Sequence, residues 1–217
     1  MTLNYRHFID DATSSYASQM PLIIGSGARP IGVAEAIEGY LDEETASFFG
    51  PHVYTGDGVI VPAQGEFTDN IFKICLNSPR LRGVNLQTEL VEGSLRIEDY
   101  NAIPGIEFRE RDCLLGREMT RGEAKRHPVL LEFSGRDQNK LEEIVDRVFC
   151  LGRRKGLRKM MGIFPSLNLG EHADEMAWFV YRLEFSSQVY GSDFDKEDCR
   201  LVGIVPEAQE IEKTAHA

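Results

Sequence analysis

The chain has 217 residues, of which 42% are hydrophobic and 27% charged, and it carries a formal net charge of -11. That size supports a core of its own and one domain spanning 1–217, while the acidic balance excludes a protein that coats nucleic acid over its whole surface. No apolar run reaches the roughly 18 residues that a membrane helix needs, so no membrane contact is expected.

The four cysteines, Cys75, Cys113, Cys150 and Cys199, form no C-x-x-C pair. A zinc ribbon is therefore not signalled, no metal or cofactor is called for, and a reducing cytoplasm is the expected setting. The first residues, Met-Thr-Leu-Asn-Tyr-Arg-His, lack the apolar core of a secretory signal.

In chain order, residues 1–19 are polar and predict an arm or a short helix. Met20–Gly25 reads as a short β-like run ending in Gly25-Ser26-Gly27. From Pro30 to Phe49 the apolar residues Val33, Ala36, Ile37, Tyr40 and Leu41 recur at helical spacing, and Gly50-Pro51 ends the helix. Residues 52–133 look β-rich, with candidate strands at 52–55, 58–62, 67–76, 84–91, 94–97 and 128–133; Thr55-Gly56-Asp57-Gly58 reads as a tight turn between the first two. Between them, 101–126 is irregular, charged and glycine-bearing, the pattern of a functional loop.

Asp137 is placed to cap the clearest helix, 139–151, whose stripe of Leu141, Ile144, Val145, Val148 and Phe149 opposes Glu142, Glu143, Asp146 and Arg147. A strand over 160–169 and a second amphipathic helix over 171–185 follow, then a short strand at 201–205 and a polar tail, 206–217. Strand, helix, basic loop and strand over 128–169 together predict a β-α-β unit. From Glu171 to the end the chain holds eleven acids and four bases, a solvated acidic face or one turned toward a basic partner.

The most informative stretch lies just before that acidic end. Residues 147–170 hold six basic residues and no acid. Arg153, Arg154, Lys155, Arg158 and Lys159 are close enough to follow several phosphates, and binding of that kind gains from counterion release. Phe164, on the following strand, is the aromatic best placed to stack a base. A weaker candidate is Gly25, Ser26, Gly27 and Arg29, where glycines before a helix could hold phosphate; the spacing G-x-G-x-x-x-x-G matches neither a dinucleotide fingerprint nor a P-loop. His7, Asp10 and Asp11 cluster near the N-terminus, and His52, His127 and His172 stand alone. No H-x-x-x-H, H-E-x-x-H or G-x-S-x-G occurs, so no catalytic motif, nuclease or otherwise, is identified and catalysis is left open.

The helix Leu141–Gly152, the basic loop Arg153–Gly162 and the Gly-Ile-Phe ending at Phe164, together with Met20-Pro-Leu-Ile-Ile-Gly-Ser-Gly27 and Gly58-Val-Ile-Val-Pro62, resemble the RAMP superfamily of CRISPR-associated proteins. The resemblance implies an α+β fold with a ferredoxin-like (RRM-like) core, a β-rich insertion and a helical C-terminal part. It implies an RNA-binding subunit of a CRISPR-type ribonucleoprotein in antiviral defense, partnered by RNA and by other protein subunits. The alternative from another class is a small α/β enzyme that binds a nucleotide or phosphorylated metabolite through Gly25–Gly32.

Overall fold

The computed structural model describes residues 5–7, 15–46, 49, 52–67, 69–83, 86–91, 94–167, 170–181, 188–192 and 199–205. The elements run β1 (Tyr5–His7), α1 (Tyr16–Gly25), β2 (Arg29–Pro30), α2 (Val33–Leu41), β3 (His52–Val61), β4 (Ile71–Cys75), α3 (Leu86–Glu89), β5 (Leu90–Val91), β6 (Ser94–Ile97) and β7 (Ile106–Arg109). They continue with α4 (Arg121–Ala124), α5 (Pro128–Phe133), α6 (Gln138–Arg154), β8 (Gly162–Pro165), β9 (Ala173–Tyr181), β10 (Gln188–Ser192) and β11 (Cys199–Ile204).

Among the described residues eleven strands join one mixed sheet, with β3 and β9 antiparallel at its centre. The side chains of these two strands alternate between two cores, as a pleated strand requires. Val53, Val59, Met176, Trp178 and Val180 pack under α2, α5 and α6, whereas Tyr54, Ala177 and Phe179 pack under α1 and α3. Each central strand also changes partner part-way along its outer edge. β3 runs parallel to β11 at His52–Tyr54 and antiparallel to β4 at Gly58–Ile60. β9 pairs with β6 at Ala173–Glu175 and with β10 at Ala177–Val180. β1 and β11 bring the two ends of the chain together.

Several sequence expectations are corrected here. Thr55–Gly58 is no turn: it is a bulge inside one ten-residue strand, at the point where β3 changes partner. Met20–Gly25 is the second half of α1, whose core-facing residues Tyr16, Met20 and Ile23 are fully buried; the helical period begins upstream of the run that looked β-like. Leu86–Glu89 is a helical turn within the expected strand 84–91. Residues 128–133 form a helix, because Pro128 at its first position presets the backbone and Val129, Leu130 and Phe133 bury on one side.

Residues 173–181 form β9, and the C-terminal part is therefore stranded. A strand covered on both faces reads as a continuous apolar run and shows no alternation. With a helix at 128–133, the β-α-β unit over 128–169 does not exist, and the sheet order is not that of a ferredoxin-like core. The helix around 33–41, the helix over 138–154 with its full buried stripe, and the Asp137 cap are all present; Asp137 accepts hydrogen bonds from the Asn139 and Lys140 N–H groups.

Candidate functional site

The gap where β3 changes partner is filled by polar groups. Gly56 donates its N–H to the Ile31 carbonyl, and its own carbonyl accepts from Ser78 N–H, both at 2.8 Å. Gly56 has no room for a side chain, because a Cβ would stand 2.5 Å from the Pro30 ring. The Asp57 carboxylate reaches through this gap, accepting from Val33 N–H at the start of α2 and from Asn77 N–H, each at 2.8 Å. Burial pushes Asp57 up to about 6 despite these two N–H bonds, which pull the other way.

Across the strand, Gly58 lies against the buried Glu175 of β9. Ser78 donates its hydroxyl to Glu175 at 2.5 Å, and Arg80 forms an ion pair with the other oxygen at 3.7 Å. Burial raises Glu175 above the usual carboxylate range. Above Asp57 opens a cavity of about 230 Å³, lined among others by Arg29, Glu35, Asn77, Ser134 and Lys140. Its charges are spoken for: Arg29 holds Glu35 through both guanidinium nitrogens, at 2.8 and 2.5 Å, and Lys140 pairs with Glu38 at 3.5 Å.

Of the phosphate candidates, only Arg29 reaches this cavity. Gly25, Ser26 and Gly27 close the C-terminal end of α1, where a helix presents carbonyls and not N–H groups. The Ser26 and Gly27 N–H groups are already given to Leu22, Ile23 and Ile24 carbonyls. The segment that would cradle a phosphate thus has no N–H to offer, and the buried Asp57 carboxylate repels an anion at the cavity floor.

The basic candidates are arranged differently. Arg153 and Arg154 occupy the last turn of α6, Lys155 caps it, and Gly156 turns the chain at φ 77°. The cations suit the helix dipole in that turn, but Arg158 and Lys159 lie beyond it. All five are exposed. Arg153, Arg154, Arg158 and Lys159 have no acidic partner among the described residues.

Nearby on α4 and α6 the charges are mutually engaged. Arg121 and Lys125 both hold Asp146, at 2.7 and 2.8 Å, and Arg121's hydrogen bond keeps that carboxyl down at about 2. Arg153 reaches a second cavity of about 220 Å³, shared with Arg121, Asp146, Phe149 and Cys150. Phe164 is half-buried, its ring lying over Gly162.

Sequence reasoning missed Asp57, Ser78 and Glu175. The signal for Asp57 was its Gly-Asp-Gly setting inside an otherwise apolar strand, which marks a bulge with close backbone approach as well as it marks a turn. His127 was read as a lone residue; it is buried, and that burial pushes it down to about 4. His7, Asp10 and Asp11 lie outside the residues whose side chains are described. No group of three or more His, Cys, Asp or Glu converges into a metal site, and no helix is long and apolar enough to cross a membrane, among the described residues.

No protein-family model matches the chain, and no curated protein does. A solved structure matches with a TM-score of 0.63 at 12% identity, covering 94% of this chain and 98% of the other; it is described as "Accommodation of massive sequence variation in Nanoarchaeota by the C-type lectin fold". The chain has a C-type lectin fold. The resemblance to the RAMP superfamily is thereby overturned, and the ferredoxin-like core with it. The strands that the resemblance placed at 20–25 and 128–133 are helical. The CRISPR assignment loses its support, and so does the reason for singling out RNA. The basic segment of this lectin-fold chain remains as a physical feature without an assigned ligand.

Proposed function

We propose that the chain is a binding module on a C-type lectin scaffold, and that it grips a polyanion through Arg153, Arg154, Lys155, Arg158 and Lys159. The observation that carries this reading is a set of exposed cations at the end of a seventeen-residue helix, four of them without an acidic partner among the described residues, on a protein of net charge -11. Water and salt screen these exposed like charges from one another, so the cluster costs the fold little and stays open to a ligand that supplies the counter-charge. Phosphate or sulfate groups spaced along a flexible chain fit that demand, and release of their counterions drives binding.

The solved structure's description speaks of massive sequence variation accommodated by its fold. Substitutions are tolerated at exposed positions far better than at buried ones, which divides a surface from a core. In this chain the cations stand wholly on the surface side of that division, while the buried acids belong to the core.

The test is fluorescence anisotropy with three labelled probes: inorganic polyphosphate, heparin, and a single-stranded RNA oligonucleotide. At least one is expected to bind at low salt, with log affinity falling against log salt by roughly 0.7 per phosphate contacted. Changing Arg153, Arg154 and Lys155 together to Ala should remove most of the affinity and flatten the salt slope. Absence of binding to all three probes, or a triple variant that binds as well as the parent, overturns the reading; the preferred probe names the polyanion.

A further inference from the structure

β7 is a free sheet edge. Among the described residues it pairs only with β4, in the register Ile71 with Arg109, Phe72 with Phe108, Lys73 with Glu107 and Ile74 with Ile106. One register step further along, Glu110 donates its N–H to the Asn70 carbonyl at 2.9 Å. In an antiparallel ladder, hydrogen-bonded and non-hydrogen-bonded pairs alternate. Ile106, Phe108 and Glu110 therefore aim their backbone groups at β4, and Glu107 and Arg109 turn theirs outward. Ile106, Glu107 and Arg109 are exposed, and Phe108 is half-buried.

The side chains on this edge are self-complementary. A second copy running antiparallel about Phe108 sets Glu107 of each chain opposite Arg109 of the other, and their outward N–H and C=O groups meet in hydrogen-bonded pairs. Phe108 then faces its own counterpart at a non-hydrogen-bonded position, where Cα atoms approach most closely and aromatic pairs gain most. Phe108 already stacks on Phe72, with ring centroids 5.6 Å apart and planes 24° apart. The second copy would cover its open flank and extend that stack to four rings.

Among the described residues Glu107 makes no ion pair, and Arg109 only a 3.9 Å contact to Asp69, which Arg111 holds closer at 3.3 Å. An edge usually protects itself with charges that repel a copy of itself; here the two charges are of opposite sign and two residues apart, so that they attract a copy in the antiparallel register.

We infer that the β7 edge is an interface for a second copy of this chain, forming a two-fold dimer through Glu107, Phe108 and Arg109. The ladder is short, so the dimer is weak and concentration-dependent. This inference is independent of the polyanion reading.

Sedimentation velocity of the full chain over a dilution series tests it. The parent shifts from monomer to dimer mass with concentration. Glu107→Arg or Arg109→Glu alone raises the dissociation constant by about tenfold or more, and the double variant E107R/R109E restores it, because the pair is then reversed on both copies. Glu107→Pro removes only an outward N–H, so it abolishes the dimer while circular dichroism and the thermal midpoint show the monomer still folded. A monomer mass at every concentration overturns the proposal. So does a dimer that survives both single charge reversals and the proline.

Discussion

Asp57 and the Arg153–Lys159 segment are both clusters of charge in an acidic protein, and they have opposite fates. Asp57 is buried, bonded on both oxygens, and helps to hold α2 and the turn at Asn77 against β3. The basic residues are exposed, and four of the five touch no acid among the described residues. Burial with satisfied partners makes a charged group part of the architecture, and its removal leaves desolvated donors behind. Exposure without partners leaves the charge free for a ligand, and its removal leaves the fold untouched. The difference lies in the number of bonds each group makes within the chain, which the residue type does not reveal.

The largest expected effect comes from breaking the first region. Asp57→Ala strands the buried N–H of Val33, at about 1–3 kcal/mol, and costs less at Asn77, whose N–H is only part-buried. Urea denaturation should show a loss of about 3 kcal/mol, and Asp57→Asn, which keeps one acceptor, a smaller one. A loss below about 0.5 kcal/mol for Asp57→Ala would mean that the region is ordinary surface. Gly58→Ala comes next: its Cβ would stand 2.5 Å from the buried Glu175 carboxylate, and displacing that group costs about 2 kcal/mol.

A third prediction uses pH. Asp57 is raised to about 6, so the folded state binds more protons than the unfolded one between its ordinary value of 3.8 and about 6. Its contribution is fully present below that window and is lost as pH rises through it, by about 3 kcal/mol. His127 has the opposite sign. It is lowered from 6.5 to about 4, so its contribution is present above 6.5 and is lost, again by about 3 kcal/mol, as pH falls toward 4.

The two terms oppose each other over nearly the same window. Denaturation of the Asp57→Asn variant at a series of pH values should therefore show stability rising more steeply with pH than in the parent. His127→Phe should shift the slope the other way. Equal slopes in all three proteins would show that neither group is buried as described.

The smallest expected effect on the fold comes from the second region. The triple change of Arg153, Arg154 and Lys155 to Ala should leave the urea midpoint where it is while abolishing polyanion binding. A large fall in the midpoint would move the segment into the structural class and erase the contrast with Asp57.

Much of the helical half was legible in the sequence. The stripe from Leu141 to Phe149 is amphipathic by itself, and Asp137 sits where a cap must, so local information sufficed for α6. α2 was visible for the same reason. The sheet was less legible. Met176, Phe179 and Val180 fall at helical spacing by coincidence, inside an apolar run that only a strand covered on both faces requires, and Leu183 lies outside the described residues. Val129, Leu130 and Phe133 were short enough to fit either element, and the decisive detail was Pro128 at the first helical position. For the candidate sites, the basic segment was visible as charge along the chain, whereas Ser78 and Glu175 are 97 residues apart and meet only across the folded sheet.

By itself the sequence determined the amphipathic helices and a run of uncompensated cations, because periodicity and charge are properties of neighbouring residues. The tertiary structure decided the rest: that Thr55–Gly58 is a bulge and not a turn, that the last third of the chain supplies one of the two central strands, and that a lectin-type sheet takes the place of a ferredoxin-like one. Those outcomes depend on which strand meets which, and pairing partners far apart in the chain are chosen by the burial and hydrogen bonding of the whole sheet, which no local window contains.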